Sequence, residues 1–164
     1  MGLKKLKDKI QSYSEAKELL NHWNASNEHI IFTNGCFDLI HMGHIDYLSK
    51  AASLGTKFVV ALNSDASVCR LKGSSRPIKD ELTRALVMAS FEFVDLVVVF
   101  EEDTPLELLN VLLPAVHILV KGGDYQIDQI AGAKEIMRNN GSVVVLPFLP
   151  GHSTSLLEAK IRNS

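Results

Sequence analysis

The sequence is poor in the features that mark secreted, membrane-spanning and nucleic-acid-binding proteins. Its 164 residues include only two cysteines, Cys36 and Cys69, which cannot make a disulfide framework. No apolar run approaches the length of a transmembrane helix, and no apolar signal segment is recognisable. Seventeen basic and nineteen acidic residues give a net charge of -2, which excludes a strongly basic surface for nucleic acid or anionic lipid. We therefore expect a cytoplasmic protein with no nucleic-acid partner and no membrane partner.

What the sequence does contain is an alternation of apolar runs and helical patterns. A chain of 164 residues with 46% hydrophobic residues can bury one complete core. Five nearly continuous apolar runs predict buried strands, at residues 30–32, 57–62, 95–100, 117–120 and 143–146. Strands that alternate with helices form parallel sheets covered on both faces. The sequence therefore predicts an α/β fold, a doubly wound, Rossmann-like five-stranded parallel sheet with helices on both faces.

Local signals predict the remaining elements. Residues 1–11 are rich in lysine, and we expect them to be loosely ordered. Ser12 and Glu15 have the spacing of a capping box, which predicts a short helix ending near residues 24–27. Further helices are predicted from about 128 to 140, closed by Gly141, and from Ser153 to Ile161. We expect residues 1–28 to form an N-terminal extension with a short helix, and residues 29–164 to form the main domain.

The stretch 32–44, which reads FTNGCFDLIHMGH, points most directly to a function. It joins a predicted strand, a glycine-bearing loop and a helix start. Glycine lets the backbone approach a ligand closely, and the first N–H groups of a helix attract anions. His41 and His44 lie three residues apart, so they converge on one face of the helix start. This combination predicts a site for a polyphosphate.

Polar segments also follow three of the other predicted strands. They read Asn63-Ser64-Asp65, Lys121-Gly122-Gly123-Asp124 and His152-Ser153-Thr154-Ser155. Ligands of doubly wound sheets bind outside the carboxyl ends of the strands, so these segments are expected to line one rim. The loop 72–77 carries Lys72 and Arg76 near the end of the second strand, where it can act as a mobile basic flap over phosphates. Glycine turns, cations, imidazoles and hydroxyls at one rim suit a nucleoside triphosphate.

Several of these residues also have a structural interpretation. Lys72, Arg76 and Arg84 could be ordinary solvated charges, and the two glycines after the fourth strand could serve only a tight turn. Ser153 and Thr154 would cap the last helix in any case, although capping is compatible with donating to a phosphate.

The histidines also have other interpretations. His22, His29 and His117 are interpreted as structural, because, unlike His41 and His44, they do not share a loop with Gly35 and Gly43. For His41 and His44 the alternative is a zinc site, with Cys36 and Cys69 as its other two ligands. Their spacing matches no common structural zinc pattern.

Taken together, the motifs resemble a known family. The segments Asn34-Gly35-Cys36-Phe37-Asp38 and His41-Met42-Gly43-His44 resemble the signature of the cytidylyltransferase-like nucleotidyltransferases. Four more segments resemble the branch that adenylylates D-glycero-β-D-manno-heptose 1-phosphate: 63–65, 70–77, 100–105 and 120–125. The resemblance runs from about Ile30 to the end of the chain. One departure is that Ser153-Thr154-Ser155, after Pro150-Gly151-His152, stands where the family commonly has Ser-Thr-Thr.

The resemblance implies a reaction and its partners. AMP would pass from ATP to D-glycero-β-D-manno-heptose 1-phosphate, giving ADP-heptose and pyrophosphate for lipopolysaccharide or another surface glycan. ATP would be a substrate, and Mg²⁺ would bridge phosphate oxygens, with water as most of its other ligands and no protein metal site. Many family members carry this unit behind a sugar kinase, whereas only some thirty residues precede it here, so we expect a separate kinase. The family is typically dimeric, which predicts a homodimer.

We assign roles to the candidate residues as hypotheses. The catalytic group is His41, His44 and Lys72. The nucleotide- and phosphate-binding group is Asn34, Gly35, Cys36, Phe37, Asp38, Gly43, Arg84, Lys121, Gly123, Asp124, Ser153 and Thr154, of which the resemblance places Lys121, Gly123 and Asp124 near the nucleoside. The sugar-phosphate-binding group is Asn63, Asp65 and Arg76.

Two rival functions stay open at this point. One is a cytidylyltransferase that acts on glycerol 3-phosphate or a related phospho-alcohol. The other is a non-catalytic nucleotide-sensing module, which would bind nucleotide without releasing pyrophosphate. A class I aminoacyl-tRNA synthetase, which uses a similar histidine signature, is excluded by the short chain and by the lack of excess basic charge.

Overall fold

Six segments of the chain pair into one parallel sheet in the computed structural model, which describes residues 2–163. The strands are β1 (Ile10–Gln11), β2 (Ile30–Gly35), β3 (Lys57–Asn63), β4 (Leu96–Phe100), β5 (Ile118–Gly122) and β6 (Ser142–Leu146). Their order across the sheet is β1-β4-β3-β2-β5-β6. All five pairings are parallel.

Helices cover both faces of the sheet. They are α1 (Leu3–Lys7), α2 (Tyr13–Ala25), α3 (Met42–Ala52), α4 (Asp65–Lys72), α5 (Glu81–Ser90), α6 (Leu106–Leu112), α7 (Ala133–Arg138) and α8 (Thr154–Arg162), with a 3₁₀ turn at Ile127–Gln129. One core contains side chains of α2, α6 and α7, and the other contains side chains of α3 and α5. Because both faces are covered, the central strands carry nearly continuous apolar runs: residues 58–62 of β3 are all apolar and buried.

The predicted architecture is confirmed, but the number of strands is six and not five. The additional strand, β1, pairs with the edge strand β4 through Ile10 and Gln11. Residues 1–11 were expected to be loosely ordered; instead residues 3–7 form α1 and residues 10–11 form β1. The side chain of Lys9 donates to the carbonyl of Val94 at 2.5 Å, which ties this segment to the turn before β4. A strand of two residues has too few positions to show a periodic pattern.

The single helix predicted over about 128–140 is wrong. The chain instead makes the 3₁₀ turn, passes through Gly132 and then forms α7. Gly132 has φ +88°, a left-handed conformation that interrupts a right-handed helix, and a Cβ there would collide with Leu109 Cδ1. Contact with α6 therefore replaces one continuous helix with two shorter pieces.

Several predicted helix starts are confirmed. Ser12 and Glu15 form the capping box of α2, in which each side chain bonds to the other residue's backbone N–H. Ser153 caps α8 by accepting from the N–H of Leu156 at 3.2 Å. Residues 10–25 contribute β1 and α2 to the sheet and core described above, with Ala16 and Leu20 fully buried. The boundary near residue 29 stays a prediction.

The strand order fixes where a ligand can bind. From β2 the chain proceeds to β3 and β4 on one side, and then returns to place β5 on the other side of β2. The connections after β2 and β5 therefore diverge, which leaves a crevice at the carboxyl ends of these two strands. Among residues 2–163, no helix is both long and apolar enough to cross a membrane.

Candidate active site

A cavity of about 240 Å³ opens in the crevice between the ends of β2 and β5. Its lining comes from the loop after β2, the starts of α3 and α8, the end of α4, and the segments after β5 and β6. The lining residues are Asn34, Gly35, Cys36, Phe37, Asp38, His44, Lys72, Lys121, Gly122, Tyr125, Phe148 and Thr154. Three of the four polar segments expected to share one rim, 34–44, 121–124 and 152–155, contribute to this lining, whereas the segment 63–65 does not.

The floor of this cavity is a tight turn after β2. Phe37 has φ +45°, which is unusual for a residue with a side chain, and it is buried. Its ring folds back against Gly35, where an added Cβ would lie 2.9 Å from Phe37 Cε2. The same ring contacts His44 edge-on, with 5.5 Å between the ring centroids. Gly35 is therefore needed so that Phe37 can support the imidazole above it.

His41 and His44 are paired, as predicted. Their ring centroids are 3.9 Å apart, and the Nδ1 atom of each ring is buried without a hydrogen-bond partner among the described residues. Burial, together with His41 and Lys72, lowers the pKa of His44 to about 4. Burial and the nearby His152 also lower the pKa of His41. Both imidazoles are thus held neutral near pH 7, and an anion beside them would favour protonation.

The two histidines face different cavities. His44 lines the cavity described above, whereas His41 lines a neighbouring cavity of about 250 Å³ with His152, Ser153 and Lys160. Gly43 lets the His41 ring and the carbonyl of His152 approach closely, because a Cβ at Gly43 would lie 3.1 Å from that ring and 3.2 Å from that carbonyl. The pair therefore connects the cavity at β2 with the start of α8.

Two lysines bring positive charge to the main cavity. Lys72 ends α4 and is exposed, while Lys121 lies on β5 and donates to the carbonyl of Asn34 at 3.3 Å. Burial lowers the pKa of Lys121 to about 8, although the adjacent Cys36 acts in the opposite direction. Thr154, at the first turn of α8, completes this part of the lining. These groups suit phosphate oxygens.

The structure does not bring Arg84 to the cavity, where we predicted that it would neutralise phosphates. Its side chain is fully buried. It donates to the carbonyls of Cys36 and Asn63, both at 2.8 Å, and to that of Lys79 at 3.1 Å. A fourth bond, also of 2.8 Å, goes to the carboxylate of Asp65. Because the guanidinium of Arg84 donates to these carbonyls and to this carboxylate, it holds the ends of β2 and β3 together.

The three residues assigned to the sugar phosphate also lie away from the main cavity. The Asn63 amide donates to Ser67 at 3.0 Å, and Asp65 pairs with Arg84. The Arg76 guanidinium is held by two carboxylates and lines a separate cavity of about 300 Å³. These groups are engaged with protein partners, so none of them presents a free charge to the main cavity.

Arg76 and Asp38 instead join three parts of the site. Arg76 pairs with Asp38 at 2.6 Å and with Glu158 of α8. Asp38 also accepts from the backbone N–H groups of Ile78 and Lys79. Burial acts to raise the pKa of Asp38, but these two N–H groups and Arg76 hold it below its usual value. The carboxylate therefore ties the turn after β2 to the loop 73–79 and, through Arg76, to α8.

The remaining predicted residues have varied placements. Gly123 has φ +121° and is buried in the turn after β5, and Asp124 follows it on the surface. The interpretation of His117 as structural fits its geometry, since its Nδ1 accepts from the N–H of Ile30 at 3.1 Å. Within residues 2–163, no three His, Cys, Asp or Glu side chains are arranged to hold a metal ion, and the zinc alternative that needed Cys69 finds no support.

Three residues that line the main cavity, Gly122, Tyr125 and Phe148, carried no predicted role. Gly122 and Tyr125 lie within the segment 120–125 that resembles the family, whereas Phe148 lies outside all of these segments. The available signal was positional, because each aromatic residue follows a predicted strand by a few residues and so falls at the same rim.

These features place imidazoles, lysines and a helix start around one cavity at the switch point of a doubly wound sheet, a combination that suits phosphate. The chain belongs to the cytidylyltransferase-like family of nucleotidyltransferases, which it matches over residues 32–159. The family resemblance predicted from the motifs is thereby confirmed.

Individual relatives place the chain more closely. It is 51% identical over 144 residues to the bifunctional protein HldE of Rhodopseudomonas palustris, an alignment that covers 88% of this chain and 29% of that protein. It is 50% identical over 155 residues to the bifunctional protein HldE of Campylobacter jejuni, covering 94% of this chain and 32% of that one. The chain thus spans about a third of the length of these relatives.

Solved structures show the same fold. The lipopolysaccharide core biosynthesis protein of Thermoplasma volcanium superposes with a TM-score of 0.58 at 25% identity, covering 74% of this chain and 97% of that one. The pantoate-beta-alanine ligase of Francisella tularensis superposes with a TM-score of 0.62 at 15% identity, covering 93% and 76%. The second likeness concerns the fold alone.

Proposed function

We propose that this chain transfers AMP from ATP to D-glycero-β-D-manno-heptose 1-phosphate and releases pyrophosphate. The observation that carries the proposal is the shared lining of one cavity: His44, Lys72, Lys121 and Thr154 converge at the β2/β5 crevice. The identity of about half to the bifunctional HldE proteins supports the choice of acceptor. The product, ADP-heptose, would serve lipopolysaccharide or another surface glycan.

The reaction needs no general base. A phosphate oxygen of the sugar 1-phosphate forms a bond to the α-phosphorus of ATP, and the bond from that phosphorus to the bridging oxygen breaks. The electron pair leaves with pyrophosphate. A phosphate monoester has a second pKa of about 6 and is therefore mostly a dianion at pH 7. Catalysis then depends on positioning two anions and on stabilising the charge that develops between them.

The cavity residues divide this work. The His44 imidazole, neutral in the free site, donates an N–H to the α-phosphoryl oxygens as negative charge builds. Lys72 and Lys121 offset the charge of the triphosphate, and Ser153 and Thr154 hold its far end at the start of α8. His41, stacked on His44, faces the same far end.

Mg²⁺ is proposed to arrive on the triphosphate. It prefers oxygen ligands and keeps several waters, so it needs no dedicated protein cage. Asp38 is the carboxylate that lines the cavity, and its oxygens already accept from Arg76, Ile78 and Lys79. The ligands of the ion would therefore be phosphate oxygens and water, and its contribution would be charge neutralisation.

The deciding experiment is a pyrophosphate-release assay over a grid of nucleotides and phosphate acceptors. We expect turnover with ATP and D-glycero-β-D-manno-heptose 1-phosphate, and little with the α-anomer, with glycerol 3-phosphate or with CTP. Turnover restricted to CTP and glycerol 3-phosphate would establish the cytidylyltransferase alternative. Nucleotide binding without pyrophosphate release from any pair would establish a sensing module.

The cellular context is proposed on the same basis. A kinase, as a separate protein, would supply the sugar 1-phosphate, and the reaction would occur in the cytoplasm, where ATP is available. We propose a homodimer, which light scattering on the purified chain would test directly.

A further inference from the structure

The aromatic residues of the chain are distributed unevenly between core and surface. The sequence has seven phenylalanines, three tyrosines and one tryptophan. Among them only Tyr125 and Phe148 are exposed in the described structure, at 50% and 56%. Both line the main cavity. Two large apolar rings are thus open to solvent at the one place where a ligand is expected.

The two rings converge on the glycine turn after β5. A Cβ added to Gly123 would lie 2.9 Å from Phe148 Cε2 and 3.4 Å from Tyr125 Cε2. A Cβ added to Gly122 would lie 2.8 Å from Phe148 Cε1. The absence of side chains at these two positions lets the rings lie directly on the backbone. The glycine pair therefore has a packing reason beyond the turn itself.

The rest of the lining leaves a specific need for these rings. His44, Lys72, Lys121 and Thr154 supply N–H, ammonium and hydroxyl groups, which suit phosphate oxygens. A nucleotide also carries a flat, unsaturated base that must leave water at some part of the site. Aromatic side chains stack on the faces of bases, and such stacking accepts every base because each has a π-face. A heptose is covered with hydroxyls and calls for hydrogen-bonding groups instead.

We infer that Phe148 and Tyr125 form an aromatic platform on which the base of the nucleotide stacks. This inference rests on the proposed nucleotidyl transfer and adds a part of the site to which no role had been assigned. A purine covers more of such a platform than a pyrimidine does. The larger stacking area therefore favours the binding of ATP over that of CTP. A stronger preference for one base would have to come from groups that contact the edge of the base.

The test is equilibrium binding to the full chain without an acceptor, using ATP, CTP and inorganic tripolyphosphate as separate probes. We expect Phe148→Ala to weaken ATP binding by roughly 5- to 150-fold, the range that loss of one stacking contact produces. The same substitution should weaken the binding of CTP less and leave the binding of tripolyphosphate unchanged. Phe148→Trp should restore ATP binding, and Tyr125→Phe should keep it, because stacking needs the ring and not the hydroxyl.

A spectroscopic signal isolates stacking from general damage to the fold. The fluorescence of 2-aminopurine riboside triphosphate is expected to be quenched on binding to the wild-type chain and to remain bright in complex with Phe148→Ala. Met137→Ala serves as the matched control, since Met137 is an exposed apolar residue on α7 that lines none of the cavities described here. It should leave binding and quenching unchanged.

Three outcomes would overturn the platform. In the first, Phe148→Ala leaves the affinity for ATP unchanged. In the second, it weakens ATP and tripolyphosphate equally, which would mean that Phe148 only shapes the phosphate site. In the third, it raises the KM for the sugar phosphate alone, which would assign the rings to the acceptor. If the base-dependent loss is seen but no acceptor yields pyrophosphate, the platform stands and the proposed function fails.

Discussion

At the scale of single residues, the site combines neutral imidazoles with lysines that differ in exposure. His44 is held neutral by burial and by Lys72, so it does not repel that lysine while the site is free. In the proposed reaction, the negative charge of a bound triphosphate would favour protonation of the ring. The imidazole can therefore respond to charge that appears only during the reaction, which is the condition for stabilising a transition state.

The first prediction concerns His44. We expect His44→Ala to lower kcat by roughly 10²–10³, the cost of losing one donor to developing charge in comparable sites. The chain should remain folded, with an unchanged circular dichroism spectrum, because the side chain is only partly buried. The matched control is His22→Ala, on the exposed side of α2, which should retain full activity. Near-normal turnover by His44→Ala would remove this residue from the catalytic group.

The second prediction concerns Lys121, whose burial disfavours its charge. We expect Lys121→Met to raise the free energy of unfolding by about 1 kcal/mol or more at pH 7, because one unit of pKa shift corresponds to about 1.4 kcal/mol. The same change should abolish tight nucleotide binding. Urea denaturation and nucleotide titration measure the two effects.

The control for Lys121 is Lys72→Met. Lys72 lines the same cavity but is exposed, so its replacement should weaken nucleotide binding without stabilising the chain. If Lys121→Met proved less stable than wild type, the lysine would be part of the packing of β5 and would not be held there for function.

Much of the candidate site was predictable from residue type and position, but the arginines were not. The spacing of the glycines and histidines in the stretch 32–44 was enough to predict that they lie together at one site. Arg84 looked like a free cation, although it lies on the same helical stripe as Ala85, Met88 and Ala89, which are all buried. That position on α5 was the available signal for burial. Its carbonyl partners come from the ends of two strands and could not be foreseen without the sheet.

At the scale of elements, the longer strands were predicted from the sequence, whereas the short elements β1 and α7 were not. Five strands are five to seven residues long, and each contains an apolar run that is visible in the sequence. β1 and α7 are short, and they depend on contacts with β4 and α6 that lie far away along the chain. Elements defined by tertiary contact leave little local pattern.

The third prediction tests whether α2 belongs to the main core. Leu20 is fully buried in α2 and packs in the same cluster as strands β2, β3 and β4. We expect Leu20→Ala to lower the free energy of unfolding by about 2–5 kcal/mol, because it removes buried methyl groups and leaves a cavity. Glu18 lies on the exposed side of α2, so Glu18→Ala should change the free energy of unfolding by less than about 0.5 kcal/mol.

Two results would contradict this third prediction. If Leu20→Ala cost as little as Glu18→Ala, residues 1–28 would be an appendage that the core does not need. If urea denaturation of Leu20→Ala separated into two transitions, α2 would unfold independently of the sheet. A single, shifted transition is the expected result.

At the scale of the whole molecule, the histidines link folding to pH in one direction. His41, His44 and His117 all have pKa values below the ordinary value for histidine, with burial as the largest cause in each. The folded chain therefore binds protons more weakly at these sites than the unfolded chain does. Their contribution to stability is complete above about pH 6.5, the ordinary pKa of histidine, and is lost as the pH falls toward the folded values.

The fourth prediction isolates His117, which lies at the opposite end of β2 from the cavity. Its Nδ1 accepts from the N–H of Ile30, and its ring lies 4.7 Å from that of His29. Protonation at Nδ1 would therefore break a bond that fixes the start of β2 and would place positive charge beside a second imidazole. We expect the free energy of unfolding to fall between pH 7 and pH 5. In His117→Asn, whose amide oxygen can still accept from Ile30, the fall should be smaller.

This fourth prediction compares how steeply the free energy of unfolding depends on pH in the wild type and in His117→Asn. The comparison isolates His117, because the carboxylates affect both proteins alike. His22→Asn, an exposed histidine on α2, is the control and should follow the wild-type curve across the same pH range. Urea denaturation at half-unit steps of pH would measure all three proteins. Identical slopes for wild type and His117→Asn would mean that protonation of His117 costs the fold nothing. The link between pH and stability would then reside in the paired histidines of the cavity, where bound nucleotide would be expected to alter it.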